Sequence, residues 1–241
     1  SETDMRHRTA ERVARQTGYP VISVSQSMRI ISLYVDGKRH VLEPSESILA
    51  SANQALSALE RYKARLDQTS AGLDSLEIED LVTVRDVTSV LQLMEMVRRI
   101  SADIDSYVLE LGTDGRLLAL QVEELTRGLL AEHGFLLEDY LPEGLDTTTV
   151  DARLKWVGSP ALLDLAMVAR SMGLGGIDGQ DLDAQVSPRG LRILSKIPRL
   201  PVVTARAVVE QWGSLQGVLG ATIEELEAVE GVGAQRARTL R

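Results

Sequence analysis

The spacing of apolar positions changes near residue 44. Before that point apolar and polar side chains alternate, which is typical of β-strands. We predict strands over residues 20–26, 29–35 and 38–42, with Asp36-Gly37 as a tight turn between the last two. Residues 9–16 instead place Ala10, Val13 and Ala14 on one face of a short helix. One helix and three strands bury too little surface to form a domain alone, so we interpret them as part of a larger α/β domain.

From residue 44 onward the apolar positions fall three and four residues apart, the period of an amphipathic helix. The pattern predicts helices over residues 45–66, 73–81, 83–111, 117–132 and 159–172. Residues 135–158 are irregular, and 135–140 fit either a strand or a loop. Residues 173–179 are glycine-rich and are interpreted as a linker or a sharp turn. This part of the chain is predicted to be a helical bundle.

The C-terminal part contains a repeat with an offset of 32 residues. Residues 197–201 align with 229–233, and Ala205-Arg206 aligns with Ala237-Arg238. Each unit predicts a short helix, a hairpin and a second helix. The fold class is therefore mainly α: part of a larger α/β domain, then a helical-bundle spine, then a tandem helix-hairpin-helix domain. The predicted domains are residues 1–43, 44–180 and 181–241.

Composition limits the class of protein without naming a function. Hydrophobic residues make up 44% of the chain and aromatic residues 3%, which suits packed helices better than an aromatic-rich sandwich. With no cysteine there is no disulfide or thiolate metal site. No apolar run has transmembrane length. We expect a cytoplasmic protein with no membrane partner.

The net charge of −9 is unevenly distributed. Residues 1–43 carry 7 Lys/Arg and 5 Asp/Glu, residues 44–186 carry 11 and 25, and residues 187–241 carry 8 and 5. An acidic middle would repel phosphates, whereas both ends would tolerate them. This distribution is consistent with a nucleotide at one end and DNA at the other.

Arg6, His7 and Arg8 precede the first predicted helix and are expected at its entrance. Two guanidiniums and an imidazole beside the free N–H groups of a helix N-terminus could hold a polyphosphate. The alternative is a solvated basic turn beside a surface helix, which the spacing alone does not exclude.

A family resemblance favours the nucleotide. Arg6-His7-Arg8-Thr9, then Gln16-Thr17-Gly18 and residues 21–26, resemble the second half of the nucleotide site of the DisA-type diadenylate cyclases, the DNA integrity scanning proteins. The order of parts along the whole chain resembles that family too. The family's upstream Asp-Gly-Ala motif does not occur here, and Asp4 stands where glycine is expected. The resemblance implies that the first residues are a C-terminal remnant of an α/β nucleotide-binding domain. We therefore expect a chain that begins partway through the catalytic domain and is inactive alone.

The resemblance implies condensation of two ATP molecules into cyclic di-AMP, with Mg²⁺ or Mn²⁺, at a face-to-face pair of sites in a homo-oligomer, an octamer in the family. Matched position by position, the nucleotide-binding residues would be Arg6, His7, Arg8, Thr9, Ser25 and Gln26. We assign no catalytic side chain and no metal ligand, because such a transfer depends on positioning and charge neutralisation more than on covalent groups.

The C-terminal repeat resembles tandem helix-hairpin-helix DNA-binding modules. Gly231-Val232-Gly233 followed by Ala237 carries the Gly-apolar-Gly pattern, which lets backbone approach a phosphate. Arg199 and Pro201 replace the glycines of the first hairpin. The candidate DNA-binding residues are Gly231, Val232, Gly233, Arg236 and Arg199. The expected DNA is branched or damaged, is bound without sequence specificity, and inhibits cyclic di-AMP synthesis.

Two further classes stay open. The first is a DNA-binding scaffold without catalysis, and the second is a repair-associated protein that uses the same hairpins. His40 and His133 have no partner at metal-ligand spacing and are interpreted as structural.

Overall fold

The computed structural model describes residues 2–25, 30–176 and 179–240, with the side chains of residues 2–4 and 6 left out. The chain divides into two compact units. The first unit comprises Ser1–Ala55 and Ile104–Ala119, and the second comprises Leu56–Asp103 and Leu120–Arg241. These units cut across the three domains drawn from sequence, whose boundaries stay predictions.

The first unit begins with helix α1 (Glu2–Thr17) and continues with strands β1 (Val21–Ser25), β2 (Ile30–Val35) and β3 (Lys38–Leu42). The strands form an antiparallel sheet in the order β1-β2-β3. The predicted hairpin is confirmed, since Val35 pairs with Lys38 across Asp36 and Gly37. Both turn residues have positive φ, 49° and 72°, as a two-residue turn of this kind requires.

Helix α1 begins seven residues earlier than the apolar pattern predicts. The placement of Arg6, His7 and Arg8 at a helix entrance was therefore wrong, because these residues lie inside the helix. Thr9, near the predicted start, does not cap it: its hydroxyl donates to the carbonyl of Met5, one turn back, at 2.8 Å.

The middle of the chain is helical, and the mainly α fold class is confirmed. The helices are α2 (Ser45–Glu79), α3 (Val84–Leu111), a 3₁₀ turn (Gly112–Gly115), α4 (Arg116–Thr126), α5 (Leu129–Tyr140), α6 (Thr147–Trp156), α7 (Ser159–Leu162) and α8 (Leu165–Met172). The predicted start of α3 is also confirmed. The carboxylate of Asp86 accepts from the backbone N–H and the hydroxyl of Thr83 at 2.9 and 2.6 Å.

Several predicted boundaries in this part were wrong for local reasons. Residues 45–66 and 73–79 belong to one helix, α2, which passes through Gly72 and ends at Glu79 rather than at residue 81. The predicted helix over 117–132 is broken at Gly128, whose φ of 79° ends the helical path. Residues 135–140 are helical, and Asp164 starts α8 within the predicted helix 159–172 by accepting from Ala166 N–H at 3.0 Å.

The C-terminal part of the second unit contains α9 (Leu191–Ser195), α10 (Val202–Trp212), α11 (Leu215–Gly220), α12 (Ile223–Glu227) and α13 (Ala234–Leu240). Its core is built from both copies of the repeat, with Ala205 and Ala237, the aligned alanines, each fully buried. Thr222 and Glu225 form a capping box at the start of α12.

The described glycine-rich residues after α8, 173–176 and 179, form a sharp turn rather than a loose linker. A Cβ added at Gly179 would lie 2.5 Å from the carbonyl oxygen of Ala166, so backbone is packed against backbone there. The following segment is bonded to the start of α3: Val84 N–H donates to Ala184 O at 2.9 Å and Arg85 N–H donates to Leu182 O at 2.7 Å. The C-terminal helices are thereby fixed to the helical bundle within the second unit.

Candidate functional site

One face of the small sheet carries polar side chains under α1. Antiparallel pairing places Ser23 opposite Ser32 and Val21 opposite Tyr34, so the two serines and the tyrosine share this face. Ser25 and Ser32 are buried, and Tyr34 is only 3% exposed. A buried polar sheet face is costly unless its groups are hydrogen-bonded, which marks it as a candidate site.

His7 is the residue that α1 inserts over this face. Its side chain is 8% exposed, and its Nδ1 lies 3.0 Å from the Tyr34 hydroxyl and 3.4 Å from the Ser23 hydroxyl. The other ring nitrogen, Nε2, is buried without a hydrogen-bond partner, alone among side-chain nitrogen and oxygen atoms in the described residues. An unpaired buried nitrogen costs about 1–3 kcal/mol, so this atom is suited to a partner that the described residues do not supply.

The structure brings together only some of the predicted nucleotide residues. His7 and Ser25 are both buried on the α1 side of the sheet, whereas Arg8 and Thr9 are exposed on α1. The side chain of Arg6 and the whole of Gln26 lie outside the described residues. Next to Thr9 and Ser23 is an open cavity of about 530 Å³ between α1 and β1.

Sequence reasoning missed Tyr34 and Ser23, which contact His7 directly. The available signal was the two-residue period of the strands. It puts Ser23 and Ser25 on one side of β1, with Ser32 and Tyr34 opposite on β2.

The opposite face of the sheet is apolar and bare. Ile22, Val24, Ile31 and Leu42 are each at least 40% exposed there. His40 also lies on this face, opposite Leu33, and is exposed. The sheet thus has a polar face covered by α1 and an uncovered apolar face.

A second candidate site is formed by the repeat, whose two copies have matching backbones. Arg199 and Gly231, the aligned residues, both have positive φ, 66° and 85°. The bond from Leu200 N–H to Ile197 O is repeated from Val232 N–H to Val229 O. The first hairpin (residues 197–201) therefore keeps the conformation of the second (residues 229–233) even without glycine.

The two hairpins differ in what surrounds them. A Cβ at Gly231 would lie 3.0 Å from the Thr204 hydroxyl, whereas a Cβ at Gly233 would meet nothing within 4 Å. Val232 is 4% exposed and anchors the second hairpin in the core. The guanidinium of Arg236 donates to the carbonyl of Gly231 at 2.6 Å. A cavity of about 220 Å³ separates the first hairpin from α13, and its lining includes Arg199, Gln235 and Arg236.

Much of the positive charge in this region is used internally. Arg206 pairs with Glu138 on α5 at 2.7 Å, and Lys196 pairs with Asp74 on α2 at 2.6 Å. Arg192 is fully buried. Charge counted from sequence therefore overstates what the surface offers to a phosphate. Arg199 and Arg236 line the cavity beside the first hairpin.

One histidine of the acidic middle lies beside a carboxylate. His133 on α5 lies 3.6 Å from a carboxylate oxygen of Asp151, and burial lowers its pKa although that carboxylate raises it. Among the described residues no group of three His, Cys, Asp or Glu side chains could hold a metal ion. None of the helices in the described part of the chain is both long and apolar enough to cross a membrane.

Comparison with known proteins identifies the family. Residues 42–180 match the family described as the DisA bacterial checkpoint controller linker region, and residues 1–39 match the DisA bacterial checkpoint controller nucleotide-binding family. The chain belongs to the DisA family. The resemblance seen in Arg6-His7-Arg8-Thr9 is thereby confirmed at the level of family.

Curated relatives of this DisA chain carry the name DNA integrity scanning protein DisA. The protein from Acidothermus cellulolyticus is 56% identical over 246 residues, and the alignment covers 100% of this chain and 66% of the relative. The protein from Streptomyces coelicolor is 54% identical with 65% of its length covered, and that from Kineococcus radiotolerans is 52% identical with 68% covered. This chain thus spans about two thirds of the length of the relatives it matches.

Proposed function

We propose that this chain forms part of a diadenylate cyclase, which condenses two ATP molecules into cyclic di-AMP and two pyrophosphates. The observation that carries the proposal is the unpaired Nε2 of His7, buried in a segment that belongs to the nucleotide-binding family. If Tyr34 donates its hydroxyl proton to Nδ1, the ring proton is on Nε2. His7 then presents a donor to a phosphate or ribose oxygen.

In the proposed reaction the 3′-hydroxyl of each ATP attacks the α-phosphorus of the other. A new O–P bond forms at each phosphorus, the bond to the bridging oxygen of the pyrophosphate breaks, and each hydroxyl proton passes to solvent. The protein's part is to hold the two nucleotides in line and to neutralise charge on the leaving group. Arg6 and Arg8 are proposed for that charge, while His7, Thr9, Ser25 and Gln26 line the pocket.

Two copies of this site must face each other, so the active form is proposed to be a homo-oligomer, an octamer as the family resemblance implies. Mg²⁺ or Mn²⁺ is proposed to arrive with the ATP phosphates. The described side chains do not form a metal site of their own, so no step is assigned to a metal held by them.

The bare face of the sheet supports a larger nucleotide domain. Ile22 and Val24, at 65% and 59% exposed, would bury apolar surface if further elements packed there. We propose that the remainder of the nucleotide-binding domain covers this face and contributes the other half of the ATP site.

Replacing Tyr34 with phenylalanine tests the role of His7. The substitution removes the hydroxyl that orients Nδ1 but keeps the ring, so we expect ATP affinity and synthesis in the full-length protein to fall about tenfold, equivalent to about 1.4 kcal/mol. Tyr19→Phe is the matched control, because Tyr19 is 72% exposed, and it should leave both unchanged. Equal activity of folded Tyr34→Phe and wild type would show that His7 is not positioned for the nucleotide.

We also propose that the C-terminal repeat binds DNA through phosphate contacts and that bound DNA inhibits synthesis. Support comes from the common backbone of the two hairpins, the open approach to Gly233, and the cavity beside Arg199 and Arg236. Contacts from backbone to phosphate carry no base information, so binding should tolerate any sequence and weaken with salt. Branched or damaged DNA is the proposed ligand, since a bent duplex meets both hairpins at once.

The two glycines of the second hairpin allow a matched test. A Cβ at Gly233 would meet nothing within 4 Å, so Gly233→Ala should cause no loss of stability. It should lower DNA affinity, because the added methyl group hinders the close approach of backbone to a phosphate. Gly231 has a positive φ, and a Cβ there would lie close to Thr204. Gly231→Ala should therefore lower the stability of the protein itself. Affinity is measured by fluorescence anisotropy on branched and linear DNA at two salt concentrations, with the melting temperature followed in parallel. Wild-type affinity in Gly233→Ala would exclude this hairpin as the contact.

The alternative that the protein is a DNA-binding scaffold without catalysis predicts DNA binding with no turnover of ATP. A repair-associated protein predicts instead processing of the branched DNA. Assays of the full-length protein for both products separate these cases.

A further inference from the structure

Helix α9 is held in the second unit by a charged cluster whose central pair, Arg192 and Glu77, is buried. The side chain of Arg192 is 1% exposed. Its guanidinium donates two hydrogen bonds to the carboxylate of Glu77 on α2, from Nε to Oε1 at 3.0 Å and from Nη2 to Oε2 at 2.7 Å. It also donates to Ser70 at 3.0 Å and to Asp74, both on α2. All three nitrogens of the guanidinium are therefore committed to one helix.

Helix α5 holds the same short helix from a second direction. Asp139, 2% exposed, accepts from the backbone N–H groups of Gly190, Leu191 and Arg192 at 3.0, 2.7 and 2.8 Å. The neighbouring Tyr140 hydroxyl donates to Glu77 at 2.7 Å. The cluster thus ties α2, α5 and α9 together through groups that are hydrogen-bonded to one another.

A buried cluster of this kind contributes orientation more than stability. Removing charges from water is costly, and well-packed apolar residues of the same volume often stabilise a protein as well or better. A bidentate pair instead fixes the angle and the register of the two helices, because the planar fork of arginine fits one carboxylate geometry. Burial alone would lower the pKa of Arg192, but the bonds and charges of Glu77 and Asp74 raise it, so the guanidinium stays charged.

The position of the cluster in the chain suggests what this orientation serves. The first hairpin begins at residue 197, directly after α9 and Lys196. At the other end of α2, only Glu43 and Pro44 separate the helix from β3. A single 35-residue helix therefore connects the cluster, along the chain, to the segment that follows the sheet.

We propose that Arg192 and Glu77 form the joint through which DNA on the hairpins alters the nucleotide site, with Arg192 as a positioning residue. This inference rests on the proposed function and deepens it. The acidic bundle then transmits the change in geometry, and the buried pair of Arg192 and Glu77 is the contact on which the transmission depends. A tenfold effect of DNA on synthesis requires only about 1.4 kcal/mol of coupling.

The test measures three quantities in the full-length protein: synthesis without DNA, affinity for branched DNA, and the ratio of the synthesis rate without DNA to the rate with saturating DNA. The variant is Arg192→Met with Glu77→Gln, which removes both charges together and keeps an oxygen to accept from Tyr140. We expect the first two quantities to stay within about twofold of wild type, whereas the ratio falls from about tenfold to less than twofold. Substituting only Arg192 or only Glu77 is avoided, because the remaining residue would be a buried charge without its partner.

Lys196→Met is the matched control. It removes a cation from the residue next to α9, but its side chain is 37% exposed and its partner Asp74 keeps the bond from Arg192. It should keep the full effect of DNA on synthesis. Arg192→Lys paired with native Glu77 keeps the charge without the fork, and it should restore the effect only in part.

The outcomes separate the inference from the function on which it rests. A folded double variant that still shows the wild-type ratio overturns the joint while leaving the cyclase and the DNA site in place. Wild type that makes cyclic di-AMP and binds DNA, but with a ratio of one, also overturns the joint. Wild type that makes no product at all overturns the proposed function first, and the joint with it. If the double variant fails to fold, Asp74→Asn, which loosens the cluster at its 28% exposed edge, must lower the ratio by an intermediate amount or the joint is rejected.

Discussion

Asp139 is a buried carboxylate whose hydrogen bonds come from three backbone N–H groups at the start of α9. Burial raises its pKa to about 6, with the negative charge of Glu77 adding to the effect, although the three N–H donors act in the opposite direction. The free energy of folding is therefore less favourable when Asp139 is ionised than when it is protonated. The carboxylate is retained for the geometry it gives α9 rather than for stability at neutral pH.

This pKa predicts a dependence of stability on pH with a definite sign. Between about pH 4 and pH 6 the folded state keeps a proton on Asp139 that the unfolded state has lost, so stability falls as pH rises through that window. Relative to Asp139→Asn, wild type should gain roughly 1 kcal/mol of unfolding free energy when the pH is lowered from 7 to 5. Urea unfolding of both proteins at the two pH values measures the difference, and a difference that is constant or shrinks on acidification rejects the assignment.

The comparison of wild type with Asp139→Asn also removes the pH dependence contributed by Glu95, which has the opposite sign. Burial of Glu95 alone would raise its pKa, but hydrogen bonds and charges from Arg98 and Arg99 lower it below its ordinary value. Glu95 therefore adds stability that is lost on acidification below about pH 4.5. That contribution is present in wild type and variant alike and cancels in the difference.

At the scale of elements, the structure shows which sequence signals are sufficient. The hairpin at Asp36-Gly37 and the repeat were predictable because each depends on residues that are close in sequence and on backbone conformations that few residues adopt. Helix ends were predicted less well. Gly72 lies between two helices that the sequence predicts as separate, but it is inside α2. Gly128, in contrast, does end a helical path.

The sites divide in the same way. The Arg-His-Arg motif was found by resemblance, but its position within α1 was not, since nothing local announces that the helix begins at Glu2. Tyr34 lies 27 residues from His7 and is joined to it only by the pairing of the sheet with α1. Arg192 and Glu77 are 115 residues apart in the sequence. The charge pattern was interpreted as surface cations and an acidic bundle, and it did not indicate that these two residues form a buried ion pair. Pairings of this range are set by tertiary packing, which periodicity does not report.

At the scale of the whole molecule, the chain combines a segment of the nucleotide-binding family with the DisA linker and a C-terminal repeat. We propose a different role for each of them: the first forms part of an ATP site, the second transmits a change in geometry, and the third contacts phosphates. Net charge follows the same division, with the acidic residues concentrated in the linker and used in part to pair with cations of the C-terminal helices.

Product analysis of the full-length protein tests the central claim most directly. Incubated with ATP and Mg²⁺ or Mn²⁺, it should yield cyclic di-AMP and two pyrophosphates per product molecule, identified by mass spectrometry and a phosphate assay. Arg6→Ala combined with Arg8→Ala should abolish the product, since each guanidinium is expected to supply charge-assisted hydrogen bonds of about 1.5–3 kcal/mol to the phosphates. The 241-residue chain alone should form none. Undiminished synthesis by the double variant, or turnover by this chain alone, would contradict the account.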